Sequence, residues 1–187
     1  MTAATDDAPP ATSYHPDPGS DALIDAGDAY FAKSVTINRP RDELYAFWSD
    51  LTRLPEFMEN VVSITDVGGD RTHWTVKAPA GRTVEWDARI TEREEGRLLA
   101  WETEDGADVA SSGRVEFRDA GDRGTIVTAT FAYDPPAGVV GRIVAKLFQR
   151  EPHIQARRDL RRFKQLMETG EVATSSWTRA QHEEEIA

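Results

Sequence analysis

Residues 82–103 read RTVEWDARITEREEGRLLAWET, and the run carries two tryptophans, Trp86 and Trp101, among charged neighbours. Successive side chains of a strand point to opposite faces. Val84, Trp86, Ala88 and Ile90 therefore share one face, while Glu85, Asp87 and Arg89 share the other. The EEG turn at 94–96 folds this strand back into RLLAWET, which puts Leu99 with Trp101.

The period of two continues on both sides of this hairpin. Before it, VVSITDV, the turn GGD and THWTVKA form a second hairpin, with Trp74 and Val76 on one face. After it come DVASSGRVEF, the turn DAGDRG and TIVTATFAY, with Val115 beside Phe117 and Val127 beside Ala129, Phe131 and Tyr133. The result is a six-stranded antiparallel meander. One of its faces is apolar and rich in aromatics; the other is Thr, Arg, Glu and Asp.

Upstream, YFAKSVTIN alternates as a first strand. RPRDELYAFWSDL then opens a helix: a proline is tolerated in the first turn, and Asp42 and Glu43 favour its positive end. Its apolar face is Leu44, Phe47, Trp48 and Leu51. A second short helix is expected over Leu54–Asn60, started by Pro55.

Downstream, residues 139–170 are helical in pattern, with one apolar stripe at Val140, Ile143, Val144 and Leu147 and another at Leu160, Phe163, Leu166 and Met167. Pro152 predicts a break between them and Gly170 a C-terminal cap. The order is one strand, two short helices, six strands and a long helix, which makes the fold class α+β with a sheet of about seven strands. An ordered domain is expected over 29–170, between an acidic tail at 1–28 and a polar tail at 171–187 that are too poor in large apolar residues to order themselves.

Composition excludes several classes of activity. The 187 residues include no cysteine, so disulfides, thiol nucleophiles and zinc ribbons are out. The four histidines (His15, His73, His153 and His182) are far apart, and neither a metal site nor a cofactor is expected. A formal charge of −11 repels nucleic-acid backbones. No apolar run approaches the roughly 20 residues of a membrane-spanning helix. The N-terminal stretch has no basic and apolar leader, so the expected compartment is the cytoplasm.

Two readings of the aromatic face are open on residues alone. The tryptophans interdigitate as a dry core, or they wall a space without filling it, each burying roughly 150–250 Å². Small residues on the same face (Ala88, Gly113 and Ala129) leave room between large ones.

SVTINRPRDELYAFWSDLTRLPEFMENV, GRTVEWDARITEREEGRLLAW and LRRFKQLMETGE together resemble the START-like (SRPBCC) superfamily, in its polyketide cyclase/dehydrase and coenzyme Q-binding START branch. The resemblance spans residues 30–170. It implies a helix-grip fold, in which a curved antiparallel sheet wraps a long C-terminal helix and encloses a hydrophobic pocket for a lipid, quinone or polyketide-like molecule. On that resemblance Trp74, Val76, Trp86, Ala88, Trp101, Phe117, Phe131 and Tyr133 wall the pocket. Phe57 and Met58 lie near its mouth, and Leu160, Phe163 and Met167 form its helical side.

Residues for catalysis are few. His73 has the opposite parity to Trp74 and faces solvent. His153 sits at a helix start, and Glu102, Thr103, Ser111 and Arg114 read as ordinary strand polar residues. Tyr133 is the weakest acceptable candidate for a proton donor. No Ser-His-Asp set, paired-carboxylate arrangement or zinc motif is present. Binding of a hydrophobic small molecule is therefore preferred. The alternatives are a polyketide cyclase or dehydratase and an interaction module that modulates a larger complex. In QARRDLRRFKQ, Arg157, Arg158, Arg161 and Arg162 form a basic stripe opposite Leu160 and Phe163. Either surface carboxylates pair with it, or it touches an anionic membrane or the acidic face of a protein partner.

Overall fold

A computed structural model describes residues 29–78, 81–104, 110–134 and 152–172. Seven strands form one antiparallel sheet: β1 (Ala29–Ile37), β2 (Val61–Gly68), β3 (Arg71–Ala78), β4 (Arg82–Glu94), β5 (Leu98–Thr103), β6 (Ala110–Asp119) and β7 (Thr125–Asp134). Their order across the sheet is β1-β7-β6-β5-β4-β3-β2. The meander β2 to β7 pairs each strand with its successor, and β1 closes onto β7 with Val35 opposite Val127. This is the expected α+β helix-grip arrangement, with two short helical segments between β1 and β2.

The first of these is α1 (Arg41–Ser49), preceded by Pro40 and carrying Asp42 and Glu43 in its first turn. It buries Leu44, Tyr45, Phe47 and Trp48. The second differs from expectation. It is a 3-10 segment over Leu51–Glu56, so Pro55 stands near its end and not at its start. Asp50 fixes the beginning by accepting the amide of Thr52.

The C-terminal helix α2 (Pro152–Thr169) crosses the apolar face of the sheet. Ala156, Leu160 and Phe163 are its buried side. Its far end is fastened to β1 and the Arg-Pro turn by polar contacts. Lys164 Nζ donates to the carbonyl of Thr36, and the amide of Asn38 donates to Glu168. Arg39 donates from Nε to the carbonyl of Met167 at 2.7 Å and from Nη2 to that of Glu168 at 3.1 Å. Carbonyls in the last turn of a helix have no partner within the helix, and a cation there also meets the negative end of its dipole. Gly170 then leaves the helix at φ +80, as expected for a C-terminal cap. The apolar stripe at Val140–Leu147 and the break ahead of Pro152 lie outside the described residues, as do residues 1–28 and 173–187.

Candidate functional site

The inward face of the sheet carries the aromatics that the alternation assigns to it. Trp74 and Trp86 are cross-strand partners on β3 and β4, with ring centroids 6.3 Å apart and planes 10° from parallel. Trp74 also stacks on Trp101 of β5 at 6.1 Å and 15°. The two meet across β4, where Ala88 is fully buried beneath them. Trp74 donates its indole N–H to the hydroxyl of Thr72 at 2.9 Å. Trp101 continues the row to Trp48 of α1 at 6.1 Å and to the edge of Phe131 at 6.3 Å.

Beyond Trp48 the row ends in solid packing. Phe57, expected near a pocket mouth, is 1% exposed and lies 4.9 Å from Phe163 and 5.5 Å from Trp48. The early start of the 3-10 segment is the physical reason, because it turns Phe57 inward onto α2. Met58 is likewise buried, at 7%. Phe163 and Phe117 are core residues too; Phe163 touches Phe47, Phe57 and Trp48, and Phe117 meets the edge of Tyr45. Leu160 is buried and Met167 half-buried against the same cluster. Gly113, expected to leave room, is covered instead: a Cβ built there would stand 2.4 Å from Cζ2 of Trp101.

The open part of the aromatic face is at the other end of the row. Trp86, Val84 and Phe131 are only half-buried, unlike Trp74 and Val76. Val84 pairs with Val76 in the register and belongs with this group, although the sequence reading placed it only on the inward face. Tyr133 pairs with Ser111 in register, on the face of Phe131 and Gly113, and its side chain lies outside the described residues. Two surface clefts, of about 300 and 130 Å³, lie elsewhere. The first lies between the Arg39–Pro40 turn and the β6–β7 turn, and the second between Ser49–Thr52 and the β2–β3 turn.

Polar groups are held away from this wall. On the outward face His73 pairs with Asp87 at 2.7 Å, and Arg71 and Arg89 pair with Glu104 and Glu102. Arg114 bridges Glu92 and Glu116 on the same face. The hydroxyl of Thr103 accepts the amide of Ser111. Among the described residues no group of three His, Asp or Glu side chains is placed to hold a metal ion.

One ionisable residue escaped the sequence reading. Asp159, on the flank of α2, accepts from Gln155 at 2.9 Å and from the amide of Glu59 at 3.4 Å. Burial pushes its carboxyl up to about 6, against the opposing pull of those hydrogen bonds and of Arg162. Arg162 in turn pairs with Glu59 at 3.4 Å, which takes it out of the expected four-arginine stripe. The signal available in sequence was weak: an acid between two arginine pairs looks solvated unless the neighbouring segment is known.

The chain matches the family described as polyketide cyclase / dehydrase and lipid transport over residues 29–168. It belongs to that family. A crystal structure of a Deinococcus radiodurans protein is similar to this family member at 38% identity, covering 76% of this chain and 99% of that one with a TM-score of 0.62. The Zhui aromatase/cyclase of a Streptomyces species shares the fold at 14% identity, covering 78% and 99% with a TM-score of 0.58. A START superfamily protein from Mycobacterium smegmatis shares it at 11%, covering 70% and 97% with a TM-score of 0.50. No curated protein matches the chain. No helix among the described residues is long and apolar enough to cross a membrane.

Proposed function

We propose that this member of the polyketide cyclase / dehydrase and lipid transport family binds a hydrophobic small molecule, a lipid, quinone or polyketide-like chain, between the sheet and its C-terminal helix. The supporting observation is the gradient along the tryptophan row. It runs from Phe57, Phe163 and Trp48, which are buried and packed, to Trp86, Val84 and Phe131, which are partly open on an apolar face. Apolar burial at about 25 cal/mol per Å² supplies the driving force, reduced by the cost of ordering the ligand. The site is smaller than the one expected from sequence. Trp74, Val76, Val84, Trp86, Trp101 and Phe131 border it, and Phe57, Phe117, Leu160 and Phe163 support it from the core.

The experiment is a titration of the purified protein with a long-chain fatty acid and with a short-tailed quinone, read by tryptophan fluorescence, alongside mass spectrometry of small molecules that co-purify from its host. Saturable quenching by either ligand, weakened in Trp86→Ala, is expected. Linear, unsaturable quenching with nothing co-purified would remove the reading.

A cyclase or dehydratase is the second reading. Its supporting observation is the register of Tyr133, which sets it beside Ser111 on the face of the aromatic row. Turnover of a poly-β-ketone that is abolished in Tyr133→Phe would favour it over simple carriage.

A further inference from the structure

Arg157, Arg158 and Arg161 are exposed, and among the described residues none of them forms an ion pair or hydrogen bond. Ile154, one turn earlier, is 43% exposed. At 3.6 residues per turn, Ile154, Arg158 and Arg161 project from the side of α2 opposite Ala156, Leu160 and Phe163, and Arg157 from the exposed flank next to them. Three unneutralised arginines on one helix face repel each other. The chain has 33 acidic residues, yet among the described residues none pairs with this face.

The two carboxylates nearest along α2 are engaged elsewhere. Asp159 is turned to Gln155 and Glu59, and Glu168 sits at the far end with Lys164 at 3.1 Å. The acidic groups of the outward sheet face, Glu85, Asp87, Glu102 and Glu104, stand on the opposite side of the sheet from α2. The domain thus has an unpaired basic helix side and, across the sheet from it, a face whose acids are paired with Arg71, His73 and Arg89. Such a distribution orients it in the field of a charged surface.

We propose that Arg157, Arg158, Arg161 and Ile154 form a docking face for an anionic phospholipid membrane. The arginines meet lipid phosphates, and Ile154 enters between headgroups. The exposed isoleucine among the cations favours a surface that is anionic outside and apolar beneath over an acidic polypeptide. The overall charge of −11 does not prevent contact, because charges beyond roughly 8 Å are screened at physiological salt.

The placement suits exchange of an apolar ligand, and only this purpose rests on the proposed function. The flank of α2 that carries Asp159 and Arg162, next to the arginine face, lies beside Glu59, and the carbonyl of Asn60 accepts the amide of Lys77 at 2.8 Å. That is the end of β3 and β4 where Val76, Val84 and Trp86 lie. Docking by this face brings the open end of the tryptophan row toward lipid.

The test is co-sedimentation of the full chain with vesicles of phosphatidylcholine, with and without phosphatidylglycerol, over a range of salt. Binding is expected to anionic vesicles only and to fall as salt rises. Each arginine contributes about fivefold, so R157Q/R158Q/R161Q should lose on the order of a hundred-fold in affinity. Ile154→Ser should weaken binding without changing its salt dependence. R89Q/R118Q, on the outward face, should bind as the parent does. Circular dichroism of each variant secures its fold. Equal binding to neutral vesicles, no binding at low salt, or a triple variant that binds like the parent would overturn the docking face. Ligand titration without vesicles, run on the same variants, reports separately on the pocket.

Discussion

Trp101 occupies the space that a side chain at position 113 would need. The two residues face each other across β5 and β6, and the indole lies so close that an added methyl would overlap Cζ2 at 2.4 Å. Gly113→Ala must therefore displace Trp101, and with it the stack onto Trp74 and the contact with Trp48. A cost of about 1–3 kcal/mol is expected, measured by urea denaturation, with a red-shifted tryptophan emission. An unchanged midpoint would mean that the row has slack.

Trp86 and Phe163 should respond in opposite ways to truncation. Phe163 is fully buried among three rings, and Phe163→Ala is expected to cost about 3–5 kcal/mol with poor refolding. Trp86 is half-buried at the open end. Trp86→Ala should cost less stability and weaken ligand uptake more. The pair of measurements, thermal unfolding and fluorescence titration, distinguishes wall from core. A Trp86 variant as unstable as the Phe163 one would place Trp86 in the core.

Arg39 ties the N-terminal part of the chain to the end of α2 through two carbonyls. Arg39→Ala leaves the last turn unsatisfied and should cost about 1.5–3 kcal/mol. Arg39→Lys should recover only part of this, since a lysine cannot present the same fork. Amide hydrogen exchange is expected to rise in residues 166–169 before it rises in β3 or β4. Uniform acceleration across the protein would contradict a local clamp.

Asp159 predicts a pH dependence. Its folded pKa of about 6 lies above the ordinary 3.8, so between these values the folded state holds the proton more tightly than the unfolded chain. Stability from this group is greatest below the lower value. It falls as pH rises through the window, and the full cost, up to ~3 kcal/mol, is reached above the upper one. Asp159→Asn removes the charge, so the variant should gain on the parent as pH rises from about 4 to about 7. Denaturation at several pH values checks this, and a difference independent of pH would refute it.

Much of this architecture was readable because strand alternation is a local property. The hairpin at 82–103 alone assigned Trp86, Ala88 and Ile90 to the inward face, and burial agrees. Helix α1 and its buried Leu44, Phe47 and Trp48 followed from a period of 3.6 and an acidic first turn. The rest depended on contacts between distant segments. Gly113 looked like vacant room because its filler, Trp101, is fixed by the β5–β6 register. Phe57 looked peripheral because nothing local said that Asp50 would start the 3-10 segment three residues early. Arg162 and Asp159 looked like ordinary surface charges because Glu59, which meets both, is a hundred residues away.

The sheet order sets β1 and β2 at opposite edges, although only α1 and the 3-10 segment separate them in the chain. The meander from β2 to β7 can zip up by neighbour-to-neighbour pairing as it leaves the ribosome. Residues 29–37 have no sheet partner until residues 125–134 are made. The earliest strand must wait unpaired for the latest, so loop closure over nearly a hundred residues governs the final assembly step. Nascent chains halted before β7 should therefore carry an idle, protease-sensitive first strand.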